Sequence, residues 1–100
     1  MNEIFKVSDI TYQDIADYLR LSELSSSDIN TISAMLNVAK TYIMQYTGRT
    51  AEELDSYQDF VIVVFVLCQD MWDNRALYVD KQNLNNVIES ILNMHSVNLL

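Results

Sequence analysis

The chain lacks proline altogether and has one glycine, one cysteine and one histidine in 100 residues. A phosphate-cradling loop needs several glycines, and none can be built around Gly48 alone. Gly48 suits instead the left-handed residue that closes a helix. A lone Cys68 forms no internal disulfide and lies inside an apolar run, so folding in a reduced, intracellular setting is expected. Catalysis and metal binding need convergent groups, and the only histidine, His95, lies near the C-terminus. A Cys68/His95 dyad has no evident orienting group or oxyanion site. A core thiol and a surface imidazole are expected, with no catalytic residue, cofactor or metal assigned.

Cations are scarce as well. Six Lys and Arg stand against fourteen Asp and Glu, a formal charge of −8, which repels a phosphate backbone and disfavours tight DNA binding. Such a surface still fits a passage through which DNA slides, or a mimic of DNA that occupies a DNA-processing enzyme. The carboxylates are scattered; Asp70 and Asp73, and Asp14 and Asp17, lie one helical turn apart and read as solvated surface. The N-terminal MNEIFKVSDI has no cationic region ahead of a long apolar core, so no signal peptide is expected.

What is present is one domain's worth of chain. A chain of this length buries roughly 65% of its extended surface on folding, enough for a modest core. The 50% apolar share counts six tyrosines and is ordinary for a globular protein. The longest apolar run is the nine residues from Phe60 to Cys68, inside SYQDFVIVVFVLCQDMWDNR. Five of the nine are β-branched, which favours a strand by local propensity. Helical signals outweigh it. Ser56 to Asp59 resembles a capping box, and Tyr57, Val61, Val64, Cys68, Met71 or Trp72, and Arg75 recur at steps of three and four. A helix from about Tyr57 to Asn74 is predicted, roughly 27 Å long at ~1.5 Å per residue. Its unbroken apolar part is about half the ~20 residues a bilayer span requires, so no membrane association is expected. It reads as a central helix covered on most sides, with its wet end near Gln69, Asp70, Asp73 and Asn74.

Other segments supply the cover. Asp28 to Tyr46 carries Ile29, Ile32, Leu36, Ala39, Ile43 and Tyr46 on one face, with Ser25 or Ser27 as cap and Gly48 as stop. Thr11 to Leu19 is a shorter helix with Ile15, Tyr18 and Leu19 inward. Thr50 to Glu53 begins a short turn. A last helix is predicted from about Leu84 to Asn93, with Leu84, Val87, Ile88, Ile91 and Leu92 inward, after an extended loop, RALYVDKQN. The expected fold is all-α, a small bundle of about four to five helices around a buried central helix, with a loop before the last one.

Trp72 and Tyr78 around Arg75 are residues of the kind that anchor protein interfaces. The alternative is that Trp72 completes the core and Arg75 pairs with Asp73 or another acid.

The order YLRL, then SSSDINTISAMLNVAKTYIMQYTGRT, then VFVLCQDMWDNRALY, then a short terminal helix, resembles the tailed-phage head-tail connector family, also called head-completion or adaptor proteins. The resemblance spans approximately Ser8 to Met94. It rests on Leu19-Arg20 followed by Asp28, on Ala39-Lys40 through Tyr46-Thr47-Gly48, and on Asp73-Asn74-Arg75. The chain departs from the family at Lys40, where relatives often carry arginine, and at Met44, near which they carry an acid.

The resemblance implies a structural virion subunit, not an enzyme. It would form a homo-oligomeric ring beneath the portal protein, extend the channel for double-stranded DNA without binding it specifically, and dock the next connector, stopper or tail component. Localisation would be the virion, with the host cytoplasm during assembly. The contact residues expected on this reading are Trp72, Asp73, Arg75 and Tyr78, together with Val97, Leu99 and Leu100 of the apolar terminus MHSVNLL. That terminus has the alternative of folding over its own core. The rival function is an acidic DNA mimic that inhibits a DNA-processing enzyme.

Overall fold

A computed structural model describes residues 6–97. Their regular structure is helical throughout: α1 Tyr12–Tyr18, α2 Ser26–Thr47, α3 Ala51–Leu54, α4 Asp59–Asn74 and α5 Asn86–His95, with 3₁₀ turns at Val7–Asp9 and Lys81–Asn83. Leu99 and Leu100 lie outside the described residues. No helix among those residues is long and apolar enough to cross a membrane.

Three helices begin with the same chemistry. Thr11, Ser25 and Thr50 each accept a hydrogen bond from the amide three residues on, while the Asp14, Asp28 and Glu53 carboxylates each accept one from the cap's own N–H. Each pair satisfies two amides that helix geometry leaves orphaned and sets a negative charge at the positive end. Ser25, not Ser27, caps α2.

The expected Ser56 cap of α4 is not made. The N-cap is Gln58, which has helical backbone angles and no side-chain bond. The chain winds from α3 into α4 through successive tight turns, Ser56 N–H to Glu53 O at 3.1 Å and Tyr57 N–H to Leu54 O at 3.2 Å. A capping serine sits on extended backbone, and this junction has none to offer at the N-cap position. The Ser8 N–H donates to the Asp55 carboxylate at 3.0 Å, tying the N-terminal turn to the same junction and holding that carboxyl below its ordinary value.

α4 is the centre of the fold. It packs on α2, α1, α5 and the Val7–Asp9 turn, and eight of its residues are buried: Phe60, Val61, Val63, Val64, Phe65, Leu67, Cys68 and Met71. Tertiary burial thus overrides the strand propensity of the valines. Although apolar nearly all round in its first half, α4 is not covered all round. Asp59, Ile62, Val66, Gln69 and Asp73, at steps of three and four, form its least covered stripe, and Ile62 is 58% exposed.

Opposite α4, α2 buries Ile32, Met35, Leu36, Ala39, Ile43 and Thr47. Its end is closed by Gly48 at φ 75. Two other helix ends adopt the left-handed conformation without glycine, at Arg20 (φ 61) and Arg75 (φ 53). A side chain in that region costs about 1–2 kcal/mol through crowding of Cβ against the carbonyl.

The last helix starts two residues later than predicted, because Asn85 caps it by accepting from the Val87 N–H at 2.7 Å. Ile88 and Leu92 are buried and Leu84 and Ile91 partly so, but Val87 is 66% exposed. The inward face follows the i, i+4 line through Ile88 and Leu92, and Val87 lies about 100° off it. The segment before α5 is not wholly extended. Asp80 organises the Lys81–Asn83 turn by accepting from Gln82 N–H at 3.1 Å and Asn83 Nδ2 at 2.7 Å, the turn chemistry that glycine or proline supplies elsewhere.

Candidate protein-contact surface

Of the sequence-predicted contact residues at the α4 exit, Trp72 and Arg75 are brought together, and Tyr78 is exposed three residues further on. Trp72 is half-buried against the core. Arg75 lies just past the helix end, its left-handed backbone carrying the guanidinium back to 4.9 Å above the Trp72 ring. Arg75 does not pair with Asp73; among the described residues the Lys or Arg ion pair with a carboxylate is Arg49–Glu53. Stacking keeps the guanidinium edge free to donate to a partner.

Beyond Arg75 the chain exposes Leu77 (54%) and Tyr78 (68%) side by side. They mark the rim between two concave surfaces. On one side is a cleft of about 320 Å³ at the end of α4, lined by polar groups including Asp70, Asn74, Asp80 and Asn83. Burial, and then the Asp73 charge, push the Asp70 carboxyl above its ordinary value. On the other side Leu77, Tyr78 and Val79 flank a shallow, mostly apolar groove against Val38, Thr41 and Tyr42 of α2. An aromatic and aliphatic rim with one preorganised arginine is suited to protein contact.

The other predicted contact residues are placed apart from this grouping. Asp73 is exposed on the α4 stripe. The Val97 N–H donates to Thr47 O at 2.8 Å, which folds the chain back onto the end of α2 and leaves the Val97 side chain partly exposed.

A second cluster, around His95, was not legible in the sequence. The His95 ring lies among Tyr57 (4.3 Å between centroids), Phe60 (5.0 Å) and the Asp59 carboxylate (Nε2 to Oδ2 2.8 Å). Arg49 stacks over the other aromatic partner, Tyr57, at 4.7 Å, and its Nε donates to the His95 carbonyl at 2.6 Å. These residues come from the α2 exit, the α3–α4 junction and the end of α5, and nothing in their spacing announces that they meet. The imidazole expected at the surface is largely covered, its side chain 15% exposed.

This cluster engages His95 with Asp59, not with Cys68. Cys68 is fully buried on α4, and burial pushes its thiol up to about 12. Since the thiolate is the reactive species, alkylation of the native chain by iodoacetamide at pH 8 should run at least ~100-fold slower than in the urea-unfolded chain. Equal rates, followed by mass spectrometry, would place Cys68 at an accessible site and reopen the thiol chemistry.

Comparison with models of protein families, with curated proteins and with solved structures finds no match to the chain.

Proposed function

We propose that the chain is a subunit of a tailed-phage head-tail connector ring, bound beneath the portal, where it extends the DNA channel and docks the next connector or tail component. The reading rests on the sequence resemblance, and one structural observation supports it: Arg75 is stacked over the half-buried Trp72, and Leu77 and Tyr78 just beyond are exposed. The segments behind the resemblance fall at helix ends, Leu19-Arg20 at the exit of α1, Tyr46-Thr47-Gly48 at that of α2 and Asp73-Asn74-Arg75 at that of α4.

A ring requires two unlike faces on each subunit, because head-to-tail contacts repeat until the rotation closes. The Trp72–Tyr78 edge is one of them in this proposal. The net charge of −8 supports a conduit role, since acidic residues turned to a lumen repel a duplex weakly along its length and give it nowhere to bind. In this reading the chain is an assembly component and turns over no substrate. It acts in the virion and passes through the host cytoplasm during assembly.

The test is incubation of the purified chain with its cognate portal, followed by particle imaging. Added density forming a closed ring below the portal is the expected result. Bare portals at saturating chain concentration would sink the proposal. Binding to one member of a nuclease panel, with portals left bare, would instead assign the acidic DNA-mimic reading.

A further inference from the structure

Side-chain hydrogen bonds between distant parts of the chain gather at one place. Among the described residues four such bonds join positions 36 or more apart. One is Ser8 N–H to the Asp55 carboxylate; the others are Tyr46 Oη to the Asn93 side-chain oxygen, Arg49 Nε to the His95 carbonyl at 2.6 Å, and His95 Nε2 to the Asp59 carboxylate at 2.8 Å. Those three all meet the last turn of α5. The Val97 N–H, donating to Thr47 O at 2.8 Å, adds a backbone bond just beyond it.

The half of this clasp that belongs to the rest of the bundle is assembled without α5. Arg49 is paired with Glu53 at 3.4 Å and stacked over Tyr57, whose ring packs edge-on against Phe60 at 5.6 Å. The helix it receives hangs on little else. α5 buries only Ile88 and Leu92, with Ile91 partly covered, whereas α4 buries eight residues and α2 six. No hydrogen bond ties residues 77–84 to α1, α2, α3 or α4 among the described residues; their bonding is local to the Asp80–Asn83 turn, and only Val79 and Leu84 rest partly buried against the core. Bonds to water replace protein hydrogen bonds at small net cost, whereas baring large apolar surfaces has no such compensation. An element with two buried side chains, a loosely attached leader and a polar clasp is of the kind that opens ahead of the rest.

We infer that α5 is a hinged flap, carried by residues 77–85 and held shut by the clasp around His95, that opens as one unit while α2 and α4 stay packed. Opening lifts the His95 ring from Phe60, which is fully buried beneath it at 5.0 Å between centroids, and bares the apolar surface of α2 and α4 on which Ile88 and Leu92 rest. Neither the flap nor its clasp draws on a portal or on any other copy of the chain.

Hydrogen exchange of the full native chain in rising, sub-denaturing urea, followed amide by amide by NMR, tests this. The amides from Glu89 to Met94 should exchange with one common opening free energy, at least ~100-fold faster than the slowest amides of α2 and α4, and with a urea slope below theirs but above zero. His95→Ala removes the centre of the clasp and should speed that group at least about tenfold, while Tyr46→Phe, which removes one hydroxyl, should speed it about threefold. Exchange of α5 at the rate and slope of α2 and α4 would mean that it leaves only with the whole fold, and unrelated rates without urea dependence would mean fraying; either overturns the inference. So would α5 exchange unmoved by both variants, which would leave the helix without its assigned clasp. Global unfolding of His95→Ala overturns it as well, because the bundle must outlast the loss of its flap.

Discussion

Val64→Asp is expected to leave the chain unfolded at room temperature, with the far-UV helical signal lost and no cooperative melt. Val64 is fully buried on α4, the helix that meets α1, α2 and α5 together. The buried core around it contains no Lys or Arg. A carboxylate there must either be buried charged or take up a proton at neutral pH, and both routes cost several kcal/mol. A domain of this size has a total stability of only about 5–15 kcal/mol, and loss of the valine's packing adds roughly 1–3 kcal/mol. Ile62→Asp is the matched control, two residues earlier on the same helix and with the same change of charge. Ile62 stands on the open stripe, so that variant should keep its helical signal and melt within a few degrees of wild type. A cooperative Val64→Asp melt near the wild-type temperature would mean that α4 is not packed as described.

The contrast between these two positions marks what the sequence could and could not convey. The helices were legible wherever apolar spacing and a capping pair agreed: α1 between Thr11 and Leu19, α2 between Ser25 and Gly48, and the existence and central place of α4. Periodicity failed where a helix is apolar on more than one face. Nothing in FVIVVFVLC distinguishes Ile62, largely open, from Val63 and Val64, fully buried, because the distinction lies in which neighbours arrive.

Val87 was misplaced for the same reason: Val87 and Ile88 are equally apolar, and packing onto α2 and α4 selects the latter. The Ser56 cap failed on a different count, since a capping pattern presumes extended chain before the helix, and α3 delivers turns there instead. At the contact edge the residue types of Trp72, Arg75 and Tyr78 were readable, whereas the stacking of Arg75 on Trp72 depends on a left-handed backbone that sequence gives no reason to expect outside glycine. The His95 cluster was invisible because its members are brought together only by the return of α5 to the end of α2.

If the chain docks on a portal as proposed, Arg75→Ala should weaken that docking about thirtyfold while leaving the subunit folded. Alanine carries a Cβ just as arginine does, so the left-handed turn at the end of α4 is no more and no less crowded after the change. The fold loses the helix-end charge, worth about 0.3–1 kcal/mol at an exposed site, and the stacking contact with Trp72, worth about 0.5–1 kcal/mol when exposed. Together these move the melting temperature by several degrees and do not unfold the chain. An arginine prearranged over an indole at the centre of a contact is of the class whose truncation costs about 2 kcal/mol or more of binding, roughly thirtyfold in affinity.

Tyr78→Ala should reproduce the docking loss with still less effect on stability, because its ring is mostly exposed. Val87→Ala removes an equally exposed apolar side chain from α5, outside the Trp72–Tyr78 edge, and should dock as wild type. Imaging of portals with each variant, alongside circular dichroism, separates the cases. Docking undiminished by both Arg75→Ala and Tyr78→Ala would remove this edge from the interface. Docking weakened equally by Val87→Ala would show that exposed apolar area, and not the geometry around Arg75, governs the contact.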